Sequence, residues 1–202
     1  MKKLMLGLMM AFAATAEAEV IDGIEYEFNF DGTATITGYD RGNPPTKVDV
    51  AEVEDDWGEK YIVTSVGADA FASCSSLTSV SLPNATTIGA QAFAFCSSLT
   101  SVSLPNATTI ELGAFHGCSS LASVSLPLVT AIGASAFLSC NALSSLVVNV
   151  EMKSAIETNG RPYYGISSGT TITYYDGLPY SIVKAAEYEM ALRSGDGRIS
   201  EF

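Results

Sequence analysis

Cys74-Ser75-Ser76-Leu77-Thr78-Ser79-Val80-Ser81-Leu82-Pro83-Asn84-Ala85-Thr86-Thr87-Ile88 recurs without a change at Cys96–Ile110, 22 residues further on. Other residues keep the same step. Phe71, Phe93, Phe115 and Phe137 do, as do Cys74, Cys96, Cys118 and Cys140. Leu77, Leu99, Leu121 and Leu143 form a third column. Val80, Val102, Val124 and Leu146 form a fourth, and Leu82, Leu104, Leu126 and Val148 a fifth. Pro83, Pro105 and Pro127 follow in register. Self-similarity at one fixed period identifies a repeat architecture before any local reading is made.

Each unit reads as two short segments joined by corners. In Leu77–Leu82 the apolar Val80 and Leu82 alternate with Ser79 and Ser81, the period of a half-buried strand. Pro83 removes a backbone donor and ends that strand. Asn84–Ile88 returns along another side with Ile88 inward, and Gly89 supplies a permissive corner. Ala92, Phe93 and Cys96 are spaced as on one turn of helix. A unit of this size cannot bury its apolar face alone, but it can do so stacked on copies of itself. The expected fold is an α/β solenoid of short parallel strands with short helical turns, its coils about 4.8 Å apart. Its four phenylalanines form an internal spine.

Working outward, the chain divides into four parts. Lys2 and Lys3, then the apolar run Leu4–Ala14 and the small-residue sites Ala14-Thr15-Ala16 and Ala16-Glu17-Ala18, read as a secretory signal peptide over residues 1–18. The run is short for a membrane span of about 20 residues. Residues 19–62 read as an N-terminal β cap, because Ile24–Phe30 alternates, Asp31-Gly32 is a hairpin turn signal and Thr33–Thr37 returns. The repeats occupy 63–150. Residues 151–202 form a C-terminal cap and tail, with a short helix near Met152–Thr158, a last strand at Gly169–Gly177, a helix over Ser181–Arg193 and a loose end from Ser194 to Phe202.

The chain has 202 residues, 48% apolar and 16% charged, which is too apolar for a disordered chain. Ten Lys and Arg against 22 Asp and Glu give 10 − 22 = −12. That charge argues against nucleic acid, which needs a basic patch, and against anionic lipid. With His116 the single histidine, chemistry needing two in one chain is excluded.

The candidate chemistry is sparse. The four cysteines sit at one place on successive coils, where parallel Cβ vectors suit a buried thiol ladder better than disulfides. A straight row also lacks the convergence of a zinc tetrahedron. Glu54-Asp55-Asp56, beside Trp57 and Gly58, lacks the spacing of a known calcium loop and reads as a solvated turn. Ser181-Ile182-Val183-Lys184 matches Ser-x-x-Lys, but the companion Ser-Asp-Asn and Lys-Thr-Gly motifs are absent. His116, where other coils carry Ala72, Ala94 and Leu138, reads as an exposed corner residue. Asn84-Ala85-Thr86 and Asn106-Ala107-Thr108 satisfy the N-glycosylation pattern. No catalytic, cofactor or metal residue is assigned. The outward positions of the main strand are Ser79, Ser81, Ser101, Ser103, Ser123, Ser125 and Ser145. They make two hydroxyl rows on one face, the candidate partner-binding site. Serine is also a plain filler of a crowded sheet face. Tyr163, Tyr164, Tyr174 and Tyr175 offer larger anchors toward the C-terminus.

Leu-x-x-Val-x-Leu-Pro followed by Ile-Gly-x-x-Ala-Phe-x-x-Cys resembles the BspA-like class of leucine-rich repeat, over about Val66 to Val148. The resemblance implies a right-handed superhelix. It also implies a non-enzymatic, exported or cell-surface protein, secreted or periplasmic, that binds a protein or glycan ligand such as host matrix or another microbe. A structural or decoy envelope protein without a specific ligand is the alternative reading, and an enzyme with an unrecognised site is a second. No nucleic-acid partner and no membrane span in the mature chain are expected, and a monomer is. Two departures stand out. Glu111 replaces Gly89 and Gly133, so that corner is expected to bend differently with Gly113 in compensation. Leu128 replaces Asn84 and Asn106, which suggests a changed turn.

Overall fold

Alternating valines and serines, interrupted by proline every 22 residues, build short strands that pair in parallel with their copies. The computed structural model describes residues 19–176. The leader (1–18), the helix expected over Ser181–Arg193 and the tail from Ser194 lie outside the described residues. Before the repeats come β1 (Glu19–Ile21), β2 (Ile24–Phe28), β3 (Thr33–Tyr39), β4 (Lys47–Asp49), β5 (Glu52–Glu54) and β6 (Lys60–Val66). Each coil then adds one strand to a main sheet and one to a return sheet. The main strands are β7 (Ser79–Ser81), β9 (Ser101–Ser103), β11 (Ser123–Leu126) and β13 (Ser145–Asn149). The return strands are β8 (Thr87–Ile88), β10 (Thr109–Ile110) and β12 (Ala131–Ile132). Helices α1 (Met152–Asn159) and α2 (Arg161–Tyr164) precede β14 (Thr171–Tyr175).

The main sheet runs β14-β13-β11-β9-β7-β4, and the return sheet runs β1-β2-β3-β6-β8-β10-β12 with β5 on β6. Coil pairs with coil in parallel and in the sequence period: Ser79 opposite Ser101, Val80 opposite Val102, Thr87 opposite Thr109. Outside the repeats the pairing changes hand. β1–β2 and β2–β3 are antiparallel, and β3 joins β6 in parallel.

Between the sheets the columns predicted from the period are buried. Leu77, Leu99, Leu82, Leu104, Ile88 and Ile110 are all at most 1% exposed. The phenylalanine rings stack in a line. Phe71–Phe93, Phe93–Phe115 and Phe115–Phe137 have centroids 5.3, 5.4 and 5.7 Å apart, with planes within 8° of parallel. Tyr39 extends the line, its ring 5.8 Å from Phe71. The period could not reveal this, because Tyr39 precedes the repeats.

The segment carrying the spine is not an α-helical turn. Gln91 and Phe95 have φ of +54° and +60°, and the equivalent Ser135 and Ser139 have +56° and +61°. A left-handed residue every fourth position prevents an α-helix from continuing. Alternate N–H groups divide their work instead. Phe71, Phe93 and Phe115 donate to the carbonyls of Ala92, Ala114 and Ala136 in the next coil at 2.7, 2.8 and 2.9 Å. Ala92, Ala94 and Cys96 donate within their own coil to Gly89, Gln91 and Phe93. This side of the coil therefore carries a third ladder of coil-to-coil bonds, beside those of the two sheets.

Both expected irregularities resolve differently. At the Glu111 corner the backbone bonds are those of its neighbours: Glu111 N–H donates to Ile88 at 2.9 Å, as Gly89 does to Val66 at 2.8 Å. The Glu111 carboxylate accepts the N–H of Ala90 at 2.9 Å. Gly113, at φ +61°, occupies the position that is left-handed in the other coils too, so it compensates for nothing. Gly89 does not have a positive φ. A Cβ there would lie 2.8 Å from the backbone of Val66, Gly67 and Ala68, so close approach of coils excludes a side chain. At Leu128 the turn is also unchanged, since Val129 donates to Leu126 at 3.2 Å as Ala107 does to Leu104.

Phe93→Ala removes a ring stacked on both faces and should cost about 3–5 kcal/mol. The melting temperature is expected to fall by on the order of 10 °C. A fall of only a degree or two in a circular-dichroism melt would refute the stacked column.

Candidate functional site

The parallel register sets the serines in two rows across the main sheet. Ser79, Ser101, Ser123 and Ser145 form one, and Ser81, Ser103 and Ser125 the other. Ser101, Ser103, Ser123 and Ser125 are exposed, while Ser79, Ser81 and Ser145 are half-buried. The rows are longer than the period indicates. β14 pairs with β13 so that Thr171 follows Ser145 and Thr173 follows Val147. Val147 interrupts the second row, and Thr173 resumes it. The step from Ser145 to Thr171 is 26 residues, because α1 and α2 lie inside that coil, and no count of 22 finds it. At the other end β4 places Lys47 opposite Ser79 and Asp49 opposite Ser81.

Hydrogen bonding separates these serines from the hydroxyls beside them. Thr100 Oγ1 donates to the Thr78 carbonyl at 3.1 Å, and Thr78 Oγ1 to that of Thr46 at 2.8 Å. On the return side Thr86, Thr108 and Thr130 donate to Thr64, Thr86 and Thr108 at 3.3, 3.2 and 3.4 Å. Those hydroxyls tie coil to coil. Among the described residues, none of the seven serine hydroxyls has a protein partner. Each can still donate one bond and accept two.

The other candidates have structural roles. The four cysteines are free and buried. Cys96, Cys118 and Cys140 donate to the carbonyls of Phe71, Phe93 and Phe115 at 3.1, 3.1 and 3.0 Å, so each thiol bridges to the preceding coil. Burial pushes the Cys96 and Cys140 thiols up to about 12 and raises that of Cys118 as well. Asp55 is not solvated. It is buried at a hairpin turn, where Oδ1 accepts from Trp57 and Glu59 N–H at 3.0 and 2.8 Å, and Oδ2 accepts from the Tyr61 hydroxyl at 3.3 Å. Those bonds occupy the carboxylate that the acidic cluster would offer a cation. Among the described residues no three His, Cys, Asp or Glu converge to hold a metal ion.

His116 is half-buried, its ring 4.8 Å from that of Phe95. The asparagines of both glycosylation motifs are engaged: Asn84 Nδ2 donates to Ala51 at 3.1 Å and Asn106 Nδ2 to Pro83 at 2.7 Å. Tyr164 is buried and Tyr163 half-exposed, while Tyr174 and Tyr175 are intermediate. Phe95, 52% exposed, was hidden in the sequence because Ser73, Gly117 and Ser139 fill its place in other coils. Ser181 and Lys184 lie outside the described residues. Among those described, no helix is long and apolar enough to cross a membrane.

A family model described as the BspA type leucine-rich repeat region matches residues 60–159 in six copies. A leucine-rich repeat protein of Bacteroides capillosus, known from its crystal structure, is 34% identical. The match covers 65% of this chain and 98% of that one, with a TM-score of 0.58. A leucine-rich repeat protein of T. pallidum is 21% identical over 85% of this chain and 95% of its own, at a TM-score of 0.55. One from Bacteroides ovatus is 20% identical over 79% of this chain and 54% of its own, at 0.51. The last two show the fold alone. No curated protein matches the sequence.

The thiols of Cys96, Cys118 and Cys140 tie stability to alkaline pH. Their folded pKa lies above the ordinary value near 9, so on raising the pH the unfolded chain ionises first. Their contribution to stability is complete below pH 9 and is expected to be lost between pH 9 and 12, by about 1.4 kcal/mol per pH unit for each ionising thiol. Urea melts across that range check the slope. Thiol titration is expected to find no reactive group in the folded protein and four after denaturation without reductant. A flat stability profile, or fewer than four thiols, would contradict the ladder.

Proposed function

Because this chain belongs to the BspA type leucine-rich repeat family, we propose that it is an exported, non-enzymatic binding module that meets a protein or glycan at the cell surface through its serine rows. Family membership supports a protein-binding or surface role, and the leader read over residues 1–18 supports export. The observation that carries the choice of face is that its seven hydroxyls are unpaired while the neighbouring threonine hydroxyls are spent on the backbone.

The chemistry of the face suits a neutral polar partner. No charged side chain interrupts the rows between β7 and β14, so a ligand there surrenders no counter-charge. Each hydroxyl bond contributes little by itself, on the order of 1 kcal/mol. Coils in register present the same group again at each step, and repeated weak contacts add up as they do in multivalent binding. A large aromatic or arginine anchor is missing from the centre of the rows, so affinity is expected to come from length rather than from a hot spot. A matrix protein of a host or a glycan of another microbe fits that description.

Binding to immobilised matrix proteins and glycans tests the reading. Saturable binding is expected to one of them, and Ser101→Arg with Ser103→Arg should abolish it while leaving the melting temperature within a few degrees. Binding that survives both changes would exclude the serine face.

A further inference from the structure

Among the described residues the main sheet has an unpaired edge at β4, and the geometry points to a second copy of this chain as the strand that completes it. β4 is the terminal strand of that sheet, bonded on one side to β7. Thr78 N–H donates to Thr46 at 2.8 Å and Val50 N–H donates to Ser81 at 3.1 Å. Backbone groups alternate sides along a strand. Thr46, Val48 and Val50 therefore face β7, and the N–H and C=O groups of Lys47 and Asp49 face away from it. Among the described residues they have no partner across the strand.

An edge of this kind pairs with another strand unless something prevents it, and a lone lysine is a common deterrent. Here the lysine is not alone. Lys47 and Asp49 are two residues apart, both exposed on the outer face, with Val48 buried between them. When two copies of β4 are laid antiparallel about Val48, Lys47 falls opposite Asp49 of the second copy, and Asp49 opposite its Lys47. These are the bonded pairs of that register, because both residues turn their backbone groups outward. The arrangement supplies four backbone hydrogen bonds and two cross-strand ion pairs, and Val48 meets its own copy on the core side. The contact is isologous, so it closes as a two-fold dimer and does not grow into a fibre.

Charge singles out this occupant. The whole chain carries −12, so two copies repel at long range, yet the segment Lys47–Asp49 is neutral and complementary to itself. At physiological salt, charges more than about 8 Å from the join are screened, and the local match decides. The two-fold axis stands perpendicular to the sheet and keeps both outer faces on one side, so the hydroxyl rows of the two copies continue each other. The dimer does not depend on what those rows bind. It replaces the monomer expected from sequence.

Sedimentation of the purified chain over a wide concentration range tests the inference, together with hydrogen exchange. A monomer–dimer equilibrium is expected, with the amides of Lys47 and Asp49 gaining protection as concentration rises. Lys47→Asp sets like charges opposite each other twice and should weaken the dimer by about tenfold or more. Asp49→Lys should do the same. The double variant Lys47→Asp with Asp49→Lys restores the match and should restore the dimer. A chain that stays monomeric at every concentration would overturn the proposal. So would a dimer indifferent to the single changes, or a double variant as weak as the singles.

Discussion

Every feature of this protein depends on coils of equal length lying in register, so that each residue stacks on its own copy. Three sets of coil-to-coil hydrogen bonds enforce this: the main sheet, the return sheet and the ladder through Phe71, Phe93 and Phe115. The stacked rings sit between them. An inserted or deleted residue in one coil would break all three ladders at once. The 22-residue coils keep one length and one register, and the coil from Ser145 to Thr171 keeps the strand register over 26 residues by placing α1 and α2 between its strands.

The constraint falls unevenly on different positions. Gly89 and Gly133 leave no room for a Cβ against the preceding coil, and Phe93 and Phe115 have ring neighbours on both sides. By contrast, Leu128 stands where an asparagine would reach back to the preceding coil, and the turn beneath is unchanged because backbone bonds carry it. Glu111 occupies a glycine position and turns its carboxylate to use by accepting an N–H of the coil before it. The cysteines lie between these extremes. They are small enough for the core, and the thiols of Cys96, Cys118 and Cys140 each donate one bond to the preceding coil.

The same regularity shapes the outer surface. An inward valine between two serines turns both hydroxyls outward in β7, β9 and β11, so a flat polar face follows from the packing of the core. The hydroxyls that lie over a neighbouring carbonyl are consumed, as with Thr100 and Thr108, and those over the strand centre are left free. Where the coils run out, irregular segments take over the register. Tyr39 stacks on the first phenylalanine, and α2 offers the carbonyls of Tyr163 and Tyr164 to Ser135 and Phe137 in place of a further coil.

Residue spacing alone determined the period, the buried columns, the parallel stacking, the free thiols and the outward serines, because a solenoid contact is a translation by one coil and the sequence carries that translation explicitly. What breaks the period was decided only in three dimensions. The partner of the Glu111 carboxylate, the burial of Asp55, the place of Tyr39 on the spine and the extension of the rows by Thr171 and Thr173 all rest on contacts between non-equivalent positions. Such contacts leave no repeating mark along the chain, since they depend on the path the backbone takes between its regular parts.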